Sequence, residues 1–170
     1  MRSRRAKVDD ARAIYELIAQ YAEQGLLLPR AEDEIRRNIS HFLVQEEKGR
    51  MISCVSLENY GADLAEIRSL AVDPACRGRG TGAKLLVFAL AEAERRGIAR
   101  VFAVTHAPEF FLRQGFERRS RHELTEKIER DCRTCSKRRS CDLVAVVATV
   151  IPERISFPVV GDSATPVSAA

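Results

Sequence analysis

The stretch best suited to chemistry is a glycine-dense loop that lies between a strand-like apolar run and a helix-like one. Because glycine has no side chain to cover the backbone, the N–H groups of this loop are open to a ligand. Together with the positive end of the following helix dipole they can cradle a diphosphate, and two arginines add positive charge. The predicted binding positions are Arg77, Gly78, Arg79, Gly80, Thr81 and Gly82.

Two other phosphate-binding motifs also place glycines between a strand and a helix, and the spacing argues against both. A dinucleotide-binding loop would need G-x-G-x-x-G, whereas the run 78–83 has glycine at every second position and ends in Ala83. A P-loop needs G-x-x-x-x-G-K-[ST], which this sequence lacks. Simple turn chemistry is the remaining alternative to a ligand site.

Three cysteines form a second group of chemically capable side chains. Cys132, Cys135 and Cys141 offer three thiolates, whereas a closed zinc site needs four ligands. A histidine or a distant cysteine would have to supply the fourth ligand, and there is no second C-x-x-C. We therefore expect reduced thiols and no bound metal, with a structural metal as the alternative.

Basic residues crowd the segment from Arg118 to Arg139, which is a local source of the net charge of +4. Acidic residues are interspersed among them, and no aromatic residue follows Phe116 within the segment. This composition does not predict a nucleic-acid site. We interpret the segment mainly as a solvated face, with the binding of an anionic substrate or of phosphates by part of it as the alternative.

Length and composition are typical of one globular domain. The 170 residues are 45% apolar and 31% charged, which is enough for a single core. No apolar run approaches the roughly 18 residues of a membrane span, and the charged segment 1–8 lacks the apolar region of a secretory signal. We expect one domain over residues 1–151, a loosely ordered tail over 152–170, a cytoplasmic location and neither membrane nor nucleic acid as a partner.

Hydrophobic periodicity predicts strands and helices around the glycine loop. The predicted strands are 4–8, 41–45, 51–60, 64–72, 100–105, one after Gly115, and 143–151, the last buried on both faces. The predicted helices follow Asp9-Asp10 as far as Gly25, span 32–39, run from the loop to about Arg96, and span 108–114. Leu26, Leu27 and Leu28 precede Pro29 and cannot continue the first helix, so we expect them to line a cleft with Arg30 at its mouth.

This order of elements resembles that of the GCN5-related N-acetyltransferase (GNAT) superfamily over about residues 3–151. The pieces that carry the resemblance are LLPR at 27–30, EIRSLAVDP at 66–74, the R-x-x-G-x-G loop, FFLRQGF at 110–116 and the cysteine pattern that ends at Cys141-Asp142. Within the superfamily the chain is most similar to the short-form N-acetylglutamate synthases of arginine biosynthesis. The resemblance implies an α/β (α+β) fold with a mixed, mostly antiparallel sheet flanked by helices, whose splayed central strands admit the pantetheine of acetyl-CoA.

The resemblance also implies an activity, acetyl transfer from acetyl-CoA to the α-amino group of a small amino acid, with L-glutamate as the expected acceptor, in a ternary complex. It places Glu66 as the base, acting through water, while a pair with Arg68 on the same strand face is the alternative. Phe111 stands where many members carry a tyrosine as general acid, so Thr105 is the candidate donor. Backbone N–H groups at Leu70, Ala71 or Val72 would stabilise the oxyanion.

A dicarboxylic acceptor needs cationic anchors, preferably arginines. The resemblance implies Arg30 for one anchor and the pair Arg138 and Ser140 for the side-chain carboxylate, and Arg68 is a further candidate because it shares a face with Glu66. Each of these arginines could instead be an ordinary surface residue. Glutamine, a peptide or a polyamine as acceptor, and a non-catalytic CoA-binding module, remain as alternatives, and a homodimer would be common for the superfamily.

Overall fold

The computed structural model describes residues 1–135 and 138–151, without the side chain of Arg138. The strands are β1 (Arg2–Arg5), β2 (Phe42–Glu47), β3 (Arg50–Asn59), β4 (Leu64–Val72), β5 (Arg100–Thr105), β6 (Glu117–Arg119) and β7 (Val144–Thr149). The helices are α1 (Ala11–Ala22), α2 (Glu32–Arg37), α3 (Thr81–Arg95), α4 (Pro108–Leu112) and α5 (Thr125–Lys127), the last of which runs into a π turn over Ile128–Cys132. The tail expected over 152–170 lies outside the described residues.

All seven strands form one sheet in the order β1-β2-β3-β4-β5-β7-β6. The β4–β5 pair is parallel, and the other neighbouring pairs are antiparallel. A parallel pair needs a crossover connection, and α3 provides it between β4 and β5. The prediction of a mixed, mostly antiparallel sheet is therefore confirmed.

The two central strands separate along their length. In the described chain, the β4–β5 ladder joins only Leu64–Glu66 to Arg100–Phe102, although β4 continues to Val72 and β5 to Thr105. The sheet is therefore open at its centre beyond Glu66, as the resemblance implied.

A β-bulge in β4 accompanies this separation. Cys54 pairs with Ala71 and Ser56 pairs with Arg68, so that two residues of β4, 69 and 70, face one residue of β3. Ser69 has a φ of 51°, in the left-handed region. A bulge of this kind bends its strand and takes one residue out of the ladder.

The sheet is covered by helices on both faces because its strands alternate. One face packs on α3 and α4, and the other packs on α1, α2 and the residues after β6. Val55, Leu57, Ala65 and Ile67 belong to the α3 side. Side chains alternate along a strand, so their neighbours Glu58 and Glu66 project to the opposite side. No helix of the described residues is long and apolar enough to cross a membrane.

Several element boundaries differ from the sequence-based expectations. β1 lies at Arg2–Arg5 rather than 4–8, because the chain turns at Val8–Asp10 and Arg4 forms an ion pair with Asp10 (2.7 Å). Of the three leucines expected to line a cleft, only Leu27 packs against the α1 side of the core, while Leu26 and Leu28 are 53% and 68% exposed. Strand β7, expected over 143–151, spans Val144–Thr149.

Candidate active site

The glycine loop leaves the first turn of α3 open to a ligand. Gly78 and Gly80 have φ values of 72° and 73°, a region that favours glycine. Gly80 is the N-cap of α3 and makes no side-chain cap, so the first N–H groups of the helix have no partner within it. The Thr81 hydroxyl donates to the Cys76 carbonyl (2.9 Å) and fixes the loop against the preceding turn.

A cavity of about 420 Å³ lies directly at this loop. Its wall is made by the loop residues together with Val72, Phe110, Arg113 and Gln114. A Cβ placed at Gly82 would lie 3.4 Å from Cγ2 of Val72 and 3.6 Å from the ring of Phe110, so the glycine keeps this space open. Open backbone amides at a helix start and a flanking cation suit a diphosphate.

The two loop arginines point to different places. Arg77 lines the cavity, where its Nε donates to the Tyr21 hydroxyl (3.0 Å) and its guanidinium stacks over the Tyr21 ring (4.9 Å). The Tyr21 hydroxyl donates in turn to the Val72 carbonyl, which fixes Arg77 to the end of β4. Arg79 instead pairs with Glu47 (3.1 Å) at the exposed end of β2.

Two carboxylates lie opposite each other on the face that α1 and α2 cover. Glu58 of β3 and Glu66 of β4 are cross-strand partners, and their side chains are 7% and 4% exposed. Like charges directly opposite each other destabilise a sheet. Each carboxylate therefore needs cationic or hydrogen-bonding partners of its own, and the structure provides both.

Glu58 is held by three groups. The Ser56 hydroxyl donates to its Oε1 (2.8 Å), Arg30 also donates to Oε1 (3.3 Å), and Nδ1 of His41 lies 2.9 Å from Oε2. Burial acts to raise the pKa of Glu58, but the Ser56 hydrogen bond and the charges of His41 and Arg30 outweigh it and lower the pKa. Arg30 also pairs with Glu34 (3.0 Å).

Glu66 stands where the central strands begin to separate. It is the last residue of β4 that pairs with β5. The Tyr60 hydroxyl donates to Oε2 (2.8 Å), Nζ of Lys127 also donates to Oε2 (3.0 Å), and Nε of Arg68 lies 3.6 Å away. The predicted base therefore has a hydroxyl and two cations around it, including Arg68.

Residues 121–135, which we call the covering segment, contribute to this group although their sequence did not predict it. Its composition predicts mainly a solvated face, but the structure folds it over the face of β4 that carries Glu66. There Nζ of Lys127 lies between Glu66 and Asp131, 2.6 Å from Oδ2 of Asp131. Burial acts to raise the pKa of Asp131, yet the bonds from Lys127 and Tyr60 outweigh it and lower the pKa. The overlooked signal is Leu124, an apolar residue in a charged run, which is buried against Tyr60.

The remaining predicted site residues lie around the end of β5 and before β7. Thr105 ends β5, and its Oγ1 accepts the Ala107 N–H (2.9 Å), which leaves the hydroxyl proton to be donated elsewhere. Phe111 is buried between two aromatic rings at 5.1 and 5.2 Å. Ser140 is exposed in a 3₁₀ turn over Arg138–Ser140, and the side chain of Arg138 lies outside the described residues.

The cysteines carry free thiols. Cys132 lies in the π turn, Cys135 is exposed just after it, and Cys141 precedes β7. Within residues 1–135 and 138–151, no three His, Cys, Asp or Glu side chains are placed to hold a metal ion.

Known proteins are similar to this chain in sequence and architecture. The family model "Acetyltransferase (GNAT) domain" matches residues 38–118. An uncharacterised N-acetyltransferase of Chlorobaculum tepidum is 38% identical over 147 residues, covering 86% of this chain and 95% of that protein. An amino-acid acetyltransferase of Neisseria meningitidis is 36% identical over 133 residues, which are 77% of this chain and 30% of that protein.

A solved structure agrees with these relatives. N-acetylglutamate synthase from Neisseria gonorrhoeae, complexed with coenzyme A and N-acetyl-glutamate, matches with a TM-score of 0.81 and 31% identity over 89% of this chain and 35% of that one. The chain thus spans about a third of the length of both Neisseria proteins. With the open sheet, the uncapped glycine loop and the nearly full-length Chlorobaculum relative, these findings show that the chain belongs to the GNAT family of acetyl-CoA-dependent N-acetyltransferases.

Proposed function

We propose that the protein transfers the acetyl group of acetyl-CoA to the α-amino group of L-glutamate, the first step of arginine biosynthesis. The observation that carries this proposal is the relation between the glycine loop and Glu66. The opening beside β4 begins at Glu66, and β4 ends at Val72 on the cavity of the loop. The six residue steps from Glu66 to Val72 correspond to about 20 Å of strand, a length suited to an extended pantetheine arm.

The chain's own residues would hold acetyl-CoA at both ends of this opening. The N–H groups of Gly80, Thr81 and Gly82 would bind the diphosphate, and Arg77 would add charge at the cavity edge. The bulge of β4 takes one of two residues, 69 and 70, out of the ladder. A freed N–H at Leu70 is our candidate oxyanion donor, with Ala71 and Val72 as the neighbouring ones.

The reaction needs a base for the acceptor amine and an acid for the leaving thiolate. The ammonium of the acceptor loses one proton through water to Glu66, which is nearly buried at the start of the opening. The free amine attacks the thioester carbon, a C–N bond forms, and the C–S bond then breaks. As that bond breaks, the thiolate takes a proton from Thr105, whose hydroxyl accepts a backbone N–H and keeps its own proton for donation. The second proton of the attacking nitrogen passes through water to Thr105 and restores its hydroxyl, so that the products are the neutral amide and free coenzyme A.

The face of β3 and β4 that carries Glu58 and Glu66, which we call the acceptor face, offers arginine anchors to an amino acid with two carboxylates. Arg30 and Arg68 both reach this face, and Ser140 with Arg138 precedes β7. The Neisseria gonorrhoeae structure holds N-acetyl-glutamate, which is the product of the proposed reaction.

The experiment that tests the proposal follows free thiol release from acetyl-CoA with separate acceptors. L-Glutamate, L-glutamine, L-aspartate, a peptide with a free amino terminus and spermidine are compared at equal concentration. We expect the highest kcat/KM with L-glutamate and a product with the mass of N-acetyl-glutamate. Greater activity with glutamine, the peptide or spermidine would reject glutamate as the substrate, and binding of acetyl-CoA without thiol release would indicate a non-catalytic module.

A further inference from the structure

Three carboxylates and three cationic side chains share the acceptor face. The carboxylates are Glu58, Glu66 and Asp131, and the cations are Arg30, Arg68 and Lys127. Glu34, which pairs with Arg30, and Arg130, which lies near Asp131, add one charge of each sign. The formal charges of the group therefore cancel before any acceptor enters. An acceptor with two carboxylates and one amine would bring net negative charge into this nearly buried group, and an uncompensated charge in such a place is costly.

Asp131 already occupies the position that suits a bound carboxylate. Its Oδ2 accepts from Nζ of Lys127 (2.6 Å) and contacts the Tyr60 hydroxyl, whose single proton it shares with Glu66, and Nη1 of Arg68 lies 3.9 Å away. An ammonium, a hydroxyl and a guanidinium that converge on one carboxylate oxygen are the donors that proteins use to bind an acidic ligand. In the absence of acceptor, these donors are engaged by the protein's own side chain.

Asp131 is also the carboxylate best able to leave. Its side chain is 28% exposed, compared with 4% for Glu66. It lies in the π turn closed by the bond from the Arg133 N–H to the Ile128 carbonyl (3.1 Å), whereas Glu66 lies within the ladder of the central sheet. Moving Asp131 away from Arg68 would therefore break no hydrogen bond of the sheet.

We propose that Asp131 is an internal substitute for a carboxylate of the acceptor. It neutralises Arg68 and Lys127 in the enzyme without acceptor, and an acceptor carboxylate displaces it and takes over both cations. Lys127 thereby becomes a further anchor that determines specificity, beside Arg30 and Arg68. This inference rests on the proposed function in one respect, since it requires an acceptor that carries a carboxylate.

The proposal predicts a direction of change that a purely structural role would not give. Removing the charge of Asp131 leaves Lys127 and Arg68 with Glu66 as their remaining carboxylate neighbour, so a carboxylate-bearing acceptor should bind more tightly. If Asp131 only held the covering segment in place, its removal would weaken acceptor binding. If the acceptor were a polyamine, loss of the negative charge would also weaken binding.

The experiment compares Asp131→Asn with the wild type in two assays. We expect the KM for L-glutamate to fall by about 3- to 10-fold, with the KM for acetyl-CoA unchanged, because releasing a partly exposed ion pair is worth a few-fold to tenfold in binding. Calorimetric titration of the CoA-bound protein with glutarate, which has no amine to acetylate, should show a Kd lower by a similar factor. Lys127→Met should raise the KM for L-glutamate and the Kd for glutarate roughly 10-fold or more. Lys127→Arg keeps the positive charge and should retain most of the wild-type affinity.

Glu129→Gln is the matched control, because Glu129 is an exposed carboxylate in the same segment. It should leave the KM for glutamate and the Kd for glutarate unchanged, and circular dichroism of all variants verifies that they fold. An unchanged or raised Kd for glutarate in Asp131→Asn would overturn the inference. Failure of the proposed function can be distinguished from failure of this inference. An enzyme that acetylates another amine can still be titrated with glutarate, and a lower Kd in Asp131→Asn would then support the carboxylate site itself.

Discussion

Replacing Gly82 by alanine should separate ligand binding from stability. Gly82 is the second residue of α3, and a Cβ there would make an ordinary contact of 3.4 Å with Val72 and 3.6 Å with Phe110. The fold can therefore accept the methyl group without moving its neighbours. Because alanine is favoured over glycine in helices by up to about 1 kcal/mol, we expect the free energy of unfolding to stay the same or to rise by up to that amount.

The same methyl group would occupy the cavity at the helix start. It would fill the space between Val72 and Phe110, where the loop amides face the proposed diphosphate. Losing one hydrogen bond to a charged group costs about 1.5 to 3 kcal/mol, which corresponds to a KM for acetyl-CoA raised roughly 10- to 100-fold. At saturating acetyl-CoA we expect kcat to remain close to that of the wild type.

Gly97→Ala is the control with the opposite pattern. Gly97 follows α3 with a φ of 74° and has no atom within 4 Å of an added Cβ, so alanine there should cost about 1 kcal/mol of backbone strain and leave the KM unchanged. Urea unfolding without ligand gives the stabilities, and thiol release gives the KM values. If Gly82→Ala bound acetyl-CoA as the wild type does, the diphosphate would not lie at this helix start.

Three further predictions concern single side chains. Glu66→Gln should lower kcat by about 10²- to 10⁴-fold in the thiol-release assay while leaving the KM for acetyl-CoA unchanged. The pKa of Glu58 is lower in the folded protein than its ordinary value of 4.5. The charged Glu58 carboxylate therefore stabilises the fold above pH 4.5, and this stabilisation is lost as the pH falls through the lowered pKa. Urea unfolding over a pH series should show this loss in the wild type and not in Glu58→Gln. Burial raises the pKa of Cys54 to about 12, so mass spectrometry after mild alkylation should find exposed Cys135 modified and Cys54 intact until the protein unfolds.

Each of these predictions has an outcome that would contradict it. Wild-type kcat in Glu66→Gln would exclude this carboxylate as the base. Equal acid sensitivity of the wild type and Glu58→Gln would mean that the partners of Glu58 do not favour its charged form. Alkylation of Cys54 at the rate of Cys135 would mean that β3 opens readily to solvent.

The fold could be predicted from local patterns because most of its strands and helices have a clear hydrophobic periodicity in the sequence. Alternating apolar residues in β4 and the striped helix after Gly80 both depend on short-range periodicity, which survives in any tertiary context. The bulge at Ser69 could not be predicted, because it arises from the register between β3 and β4. Register depends on partners that are distant in sequence.

The candidate site was predictable only where one segment carries it. The glycine loop is continuous, so its residue types and spacing suffice. The group around Glu66 combines side chains from the residue after β3, from β4 and from the covering segment, and nothing in a charged run indicates which lysine will turn inward. Lys127 could be placed there only after Leu124 had been recognised as a buried anchor among charged residues.

A sheet that is joined at its middle by three residue pairs amounts to two smaller sheets on a common hinge. The pantetheine arm of the coenzyme carries amide groups, which are the chemical equals of the peptide groups left unpaired along the open part of β4. A bound coenzyme would thus serve as a surrogate strand, and the stiffness of the enzyme would depend on the very substrate that it consumes.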